Sequence, residues 1–276
     1  MITRMPTLSR RAMLTLGLHT GLAAAGASML GVATAAAAPP APTYATGSFV
    51  SAARGGVTST WVVARPPGQT APLRPVILLH GKDSSAHTVM SMGVEQFLAD
   101  AVRAGLPPFA IAAVDGGNGY WHRRASGDDS AAMVLGEFLP LLGDEGLDTS
   151  RVAFLGWSMG GYGAMLLGSR LGAARTAAIC AVSPALWTSP GAAAPGAFDD
   201  AADYQANSVW GLSELDGIPL RIDCGYDDPF AAATEQFIAQ LPAPPAGGFS
   251  PGGHNSAFWS SQLTAELSWT APLLTA

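Results

Sequence analysis

Three residue types in this 276-residue chain stand in an order that suits nucleophilic acyl chemistry. Ser158 lies in Gly156-Trp157-Ser158-Met159-Gly160-Gly161, Asp228 in Gly225-Tyr226-Asp227-Asp228-Pro229-Phe230, and His254 in Gly252-Gly253-His254-Asn255. A serine hydroxyl is a weak nucleophile until a base takes its proton, and the base needs an acid to hold its tautomer. Of the five histidines, His19, His80, His87 and His122 precede Ser158, which leaves His254 as the downstream base. For the acid, Asp223 falls inside the strand read over Leu220–Cys224, while Asp227 and Asp228 follow Gly225 at its exit. Asp228 is chosen over Asp227 because Pro229 starts a helix and leaves the preceding residue in the turn.

Position gives these residues their weight, since the serine string alone is weak evidence. With 33 glycines in the chain, composition supplies roughly 0.3 G-x-S-x-G matches by chance. Here the string follows the apolar run Val152-Ala153-Phe154-Leu155 and precedes a stretch of helical character. A strand, a sharp turn and a helix in that order hold a serine out at the C-terminal edge of a parallel sheet. Small neighbours are needed because the turn is strained and the helix passes close to the strand.

The other elements follow the same logic. A β-rich run, Val57–Val63, ends an N-terminal antiparallel pair within 48–65. Pro75–Leu79, Phe109–Val114 and Thr176–Val182 read as buried strands of the kind covered on both faces of a sheet, and Leu220–Cys224 as a further strand. Helical spacing appears over 93–104, 129–142, 231–241 and about 256–267. Strands alternating with helices imply an α/β fold with a mostly parallel sheet and helices on both faces. The Pro/Gly/Ala/Asp-rich stretch 189–207 is longer than an ordinary connection and is expected to form a small cap over the site.

Backbone N–H groups for a developing oxyanion are expected from Lys82, in the turn His80-Gly81-Lys82-Asp83, and from Met159 after the serine. The loop 115–124 leaves the C-terminal end of a strand, the edge where open α/β sheets bind ligands. Tyr120, Trp121 and His122 in it, with Trp187 after the next strand, are read as pocket wall; the alternative is a structured loop whose aromatics merely pack.

Composition narrows the function. The chain is 49% hydrophobic with a net charge of −6 and a single lysine, so nucleic acid is not an expected partner. No His/Asp/Glu cluster has metal-ligand spacing, and neither a metal nor another cofactor is expected. Residues 1–38 read as a Tat-type signal: Arg10-Arg11, then a weakly apolar stretch ending in an alanine run. Cleavage would remove Arg4, Arg10 and Arg11 and no acid, taking the charge from −6 to −9. The mature form is expected to be secreted or attached to the cell envelope, with no stable membrane span. Residues 39–47 read as a linker and 48–276 as the folded domain. Cys180 and Cys224, on consecutive strands, are read as buried thiols in preference to a disulfide.

GWSMGGYG, GYDDPF and GGHNSAFW, in this order and spacing, resemble the esterase-D group of α/β hydrolases, over roughly residues 48 to 270. That group includes S-formylglutathione hydrolases, related carboxylesterases and mycolyltransferases. The resemblance implies the α/β-hydrolase fold, Ser158, Asp228 and His254 as a triad, and the Lys82 and Met159 N–H groups as oxyanion hole. The chain departs from the group in two places. The loop GKDSSAH lacks the cysteine of formylglutathione hydrolases, and mycolyltransferases carry Glu where this chain has Asp, so neither substrate is carried over. Three readings follow: an exported carboxylesterase acting on a small-molecule or lipid ester, an acyltransferase with a sugar or alcohol acceptor, and a catalytically silent binding protein of the same fold.

Overall fold

The apolar runs form the middle of one sheet. The computed structural model describes residues 43–276; the expected signal segment and the first residues of the expected linker lie outside the described residues. In chain order the strands are β1 (Thr43–Ser51), β2 (Val57–Arg65), β3 (Pro75–Leu79), β4 (Ala110–Val114), β5 (Val152–Trp157), β6 (Thr176–Val182), β7 (Leu220–Gly225) and β8 (Ala246–Ser250). They lie side by side as β1-β2-β4-β3-β5-β6-β7-β8. The β1–β2 and β2–β4 pairs are antiparallel, and the rest of the sheet is parallel. β5, the strand that ends at Ser158, sits between β3 and β6, and all six of its residues are buried.

The helices are α1 (Ala86–Met90), α2 (Val94–Arg103), α3 (Ser130–Met133), α4 (Leu139–Asp144), α5 (Met159–Leu171), α6 (Ala201–Ala206), α7 (Ala231–Ile238) and α8 (Ser256–Thr275). Successive strand residues point to opposite faces, and two apolar layers result. Ile77, Leu79 and Phe154 pack with Phe138, Leu142 and Leu167 on one face. Val76, Leu78 and Leu155 pack with Val89, Leu98, Leu263 and Leu267 on the other. Burial of this kind contributes about 25 cal/mol per Å² of apolar surface, so the two layers dominate the stability.

Several elements differ from the sequence reading. β1 begins at Thr43, inside the stretch expected to be linker, because Thr43–Ser51 pairs residue for residue with β2. The helix expected over 129–142 is three pieces: α3, a π-turn over Val134–Phe138, and α4. Pro140 is the cause. It lacks an N–H and its ring displaces the carbonyl four residues back, and the Leu139 N–H bonds to the Val134 carbonyl five residues away. The Pro/Gly stretch after α7 contains a further strand, β8, paired parallel to β7. Its glycines hid it: Gly247 has φ +85°, and a Cβ there would collide with the Ile222 carbonyl of β7. α8 runs to Thr275, with Pro272 inside its last turns.

The segment 189–207 does fold as a unit, with a short 3-10 turn at Pro190–Ala192 and then α6. It is fastened sideways to the loop after β4. Arg124 donates to the Asp199 carboxylate at 2.7 Å and to the Gly196 carbonyl at 2.8 Å, and the Ala125 N–H reaches Asp199 at 2.6 Å. Tyr162 of α5 donates to the Asn207 carbonyl at 2.6 Å.

Cys180 and Cys224 are buried free thiols. Burial pushes the Cys224 thiol up to about 12 and Cys180 well above its ordinary value. Beside Cys180 lies Glu266 of α8, fully buried, with neither carboxyl oxygen bonded among the described residues. Burial raises its pKa well above the usual carboxylate range, with Asp223 adding to the rise and Arg221 opposing it.

With its folded-state pKa raised, Glu266 keeps its proton in the folded chain over a pH range where the unfolded chain has already lost it. The unfolded state binds fewer protons, so this group costs stability progressively as pH rises above the ordinary carboxylate pKa of about 4.3. Glu266→Gln is expected to flatten the fall in Tm between weakly acidic and weakly alkaline pH, and to melt higher than wild type at the alkaline end. Parallel Tm–pH curves for the two proteins would contradict this account.

Candidate active site

Ser158 sits at the turn between β5 and α5 with φ 56° and ψ −118°, a backbone conformation that costs a non-glycine residue energy. Three bonds hold it there. The Ser158 N–H donates to the Val182 carbonyl at 3.0 Å, and its carbonyl accepts from Tyr162 at 3.1 Å and Ala185 at 3.0 Å. The flanking glycines are required by contact: a Cβ on Gly156 would strike the Gly160 backbone, and one on Gly160 would strike the Leu79 carbonyl.

His254 comes from the loop between β8 and α8, and Asp228 from the turn between β7 and α7. The His254 Nε2 is 2.9 Å from the Ser158 Oγ, and its Nδ1 is 2.9 Å from the Asp228 Oδ2. Asn255, next in the chain, caps α8 by accepting the Phe258 N–H at 3.1 Å, which anchors the loop carrying the imidazole. The Asp228 side chain is fully enclosed, and its Oδ1 accepts the Phe230 N–H at 2.9 Å. Burial pushes its pKa up, but the bonds from His254 and the Phe230 N–H outweigh this and hold it below the ordinary carboxylate value. An ionised carboxylate only accepts, so His254 Nδ1 carries the proton and Nε2 is left to accept from the serine hydroxyl. Asp227 stands apart, its N–H on the Gly252 carbonyl, and Asp223 is bound to Arg221 at 2.6 Å.

The turn after β3 runs beside the serine. A Cβ built on Gly81 would lie 3.6 Å from the Ser158 Cβ and 3.4 Å from the Trp157 carbonyl. Among the described residues, neither the Lys82 N–H nor the Met159 N–H has a hydrogen-bond partner. A cleft of about 480 Å³ opens here, lined by Gly81, Lys82, Thr88, Val89, Met92, Trp157, Ser158, His254 and Trp259. Val89, Met92, Trp157 and Trp259 give it apolar surface, and Ser84, Thr88, Ser91 and Ser256 add hydroxyls beside Ser158 and the His254 imidazole, a mixture suited to a small-molecule site. The Trp259 and Phe230 rings each lie 5.2 Å from the His254 ring, centroid to centroid.

The aromatic loop after β4 corrects the sequence reading. Trp121 and His122 are wholly enclosed, at 1% and 0% exposure, and form no wall of the cleft. Trp121 fills a slot made by Gly116 and Gly163, whose missing Cβ atoms leave room for its ring. His122 lies under the 189–207 segment, its ring nitrogens 3.0 Å from the Arg123 carbonyl and 3.1 Å from the Ala197 carbonyl. Tyr120 is buried against Trp187, Tyr162 and Phe198, and the partly exposed Trp187 packs on Phe230 beside His254. The 189–207 segment contributes no residue to the cleft lining either. The residues missed in the sequence are Phe230, Trp259, Thr88 and Met92. The first two lay inside the quoted motifs; Thr88 lies in α1 and Met92 just after it, a stretch to which the sequence reading gave no element.

Among the described residues no group of three or more His, Cys, Asp or Glu could hold a metal ion, and no helix is long and apolar enough to cross a membrane. No protein-family model and no curated protein sequence matches the chain. Solved structures do. A ferulic acid esterase superposes with a TM-score of 0.74 at 21% identity, covering 84% of this chain and 99% of its own. An S-formylglutathione hydrolase from Agrobacterium tumefaciens gives 0.72 at 20% identity, covering 84% and 96%. The fluorophosphonate-binding serine hydrolase F of Staphylococcus aureus gives 0.67 at 19% identity, covering 84% and 99%. Together with the eight-stranded, mostly parallel sheet and its helices on both faces, these likenesses assign the chain to the α/β-hydrolase fold.

Proposed function

We propose that this chain is an exported serine carboxylesterase that works through an acyl-enzyme on Ser158. The observation that carries the reading is the continuous chain Ser158 Oγ–His254 Nε2, His254 Nδ1–Asp228 Oδ2, both links at 2.9 Å, at the end of the cleft. The similarity to solved esterases supports it, and the Arg10-Arg11 pair supports export.

In this reading Ser158 Oγ attacks the ester carbonyl as His254 Nε2 takes its proton. The Asp228 carboxylate stabilises the imidazolium that forms. The carbonyl oxygen gains negative charge and meets the unpaired Lys82 and Met159 N–H groups, each such donor being worth about 10²–10³ in rate. His254 then passes its proton to the leaving alcohol. Water, activated by the same imidazole, attacks the acyl carbon and restores Ser158. The substrate is a carboxylic ester small enough for one part to lie along Val89, Met92 and Trp259.

Ser158→Ala is expected to lower kcat toward p-nitrophenyl esters by on the order of 10⁴–10⁶. It should also abolish a fluorophosphonate adduct seen by intact mass on the wild type. A wild-type protein that gains no adduct and cleaves no short ester would sink the proposal. Adding glycerol or trehalose measures partitioning of the acyl group; free acid as the main product is expected, and acylated sugar would favour the acyltransferase.

Asp228→Asn replaces an acceptor with a group that can donate to Nδ1 and reverse the tautomer. We expect kcat to drop on the order of 10⁴ with KM little changed. The lowered pKa of Asp228 contributes stability above the ordinary carboxylate range, and this is lost as pH falls through the folded value. Wild type should therefore lose more Tm than Asp228→Asn on acidification below about pH 4. Equal losses would show that the carboxylate is not held ionised by the fold.

A further inference from the structure

His80, the residue after β3, has no exposed surface, and the hydrolytic steps above make no use of it. Its two ring nitrogens are both engaged. Nε2 is 3.0 Å from the Gly116 nitrogen, and Nδ1 is 2.8 Å from the Gly81 oxygen. A backbone N–H only donates, so Nε2 must be the bare, accepting nitrogen. The ring proton is then on Nδ1, where it donates to the Gly81 carbonyl. That carbonyl belongs to the planar Gly81–Lys82 peptide, whose N–H points the opposite way. Fixing the carbonyl against the imidazole fixes the Lys82 N–H on the far side.

We propose that His80 is a positioning residue, its imidazole held as the Nδ1–H tautomer so that it clamps the Gly81 carbonyl and presents the Lys82 N–H to the substrate oxygen. The inference rests on the esterase reading of the site. Neighbouring contacts serve the same end. The Trp121 indole donates to the His80 carbonyl at 3.3 Å and packs on the imidazole at 4.9 Å. Its ring lies against Gly163 of α5, the helix that starts at the serine, so one side chain ties the turn after β3 to that helix. Further along the same turn, the Asp83 N–H donates to Asn118 at 2.8 Å and the Ala86 N–H to Asp115 at 2.6 Å. Lys82 is thus held on both sides from the one loop after β4. Burial pushes the imidazole pKa down, the Gly81 carbonyl and Asp115 pulling it up and Arg54 adding to the fall, which keeps the ring in the neutral form the clamp requires.

Two substitutions separate the clamp from mere filling of space. An asparagine amide sits where Nδ1 does and can donate to Gly81; a glutamine amide reaches where Nε2 does and serves Gly116 instead. With p-nitrophenyl butyrate, His80→Gln is expected to lose about 10–100-fold in kcat with KM within about twofold. His80→Asn should stay within about threefold of the wild-type kcat although it melts no higher than the glutamine variant. On the unaltered protein, long-range ¹H–¹⁵N spectra should show a neutral Nδ1–H tautomer for His80 from about pH 6 to about pH 8. An Nε2–H tautomer, equal kcat losses in the two variants, or losses that appear in KM would overturn the clamp while leaving the esterase intact. Failure of wild type to take up a fluorophosphonate would overturn the esterase reading itself, and with it any role for the clamp in catalysis.

Discussion

The strained backbone of Ser158 is the constraint on which the rest of the site depends. A non-glycine residue at φ 56°, ψ −118° does not rest there by preference. It is held by bonds to the end of β6 and the first turn of α5, and by glycines that let the helix backbone lie against the strand ends. The conformation puts the hydroxyl outside the sheet, in reach of an imidazole that arrives from β8, three strands further along. Had the serine taken helical angles, its side chain would have turned back over the preceding turn and the 2.9 Å contact with His254 would not exist.

Around that point the labour is divided by strand end. β3 brings the turn with Lys82, β5 the serine, β7 the carboxylate, and β8 the loop with the imidazole. A parallel sheet places all four strand ends on one edge, so groups far apart in the chain meet without long loops. β4 brings no atom to the cleft, yet the loop that follows it braces the β3 turn and anchors the 189–207 segment.

Much of this was legible because the relevant residues are ones whose physics is local. Gly156 and Gly160 flank the serine since no larger residue fits, and the chain order of Ser158, Asp228 and His254 follows from which strand ends lie on the edge. Asp228 was separable from Asp227 because Pro229 leaves the residue before it in the turn. Other features were hidden for equally physical reasons. β8 carries two glycines, Gly247 because its contact with β7 leaves no room for a Cβ and Gly248 at a φ of +148°, and together they erase its strand signature. Trp121 and His122 sit in a loop at the ligand edge, yet their side chains point inward, and only the holes at Gly116 and Gly163 explain where the indole goes. Sequence spacing carries the address of a loop but not the direction its side chains face.

The two cysteines bear on how the protein is made. On adjacent strands and unbonded, they sit beneath the sheet surface with thiols that burial keeps protonated. The native state therefore draws on no cross-link. The chain needs neither an oxidant nor an isomerase to reach it, and moving between a reducing and an oxidising compartment changes no covalent bond in the fold. A protein built this way is finished, in the chemical sense, wherever it happens to fold.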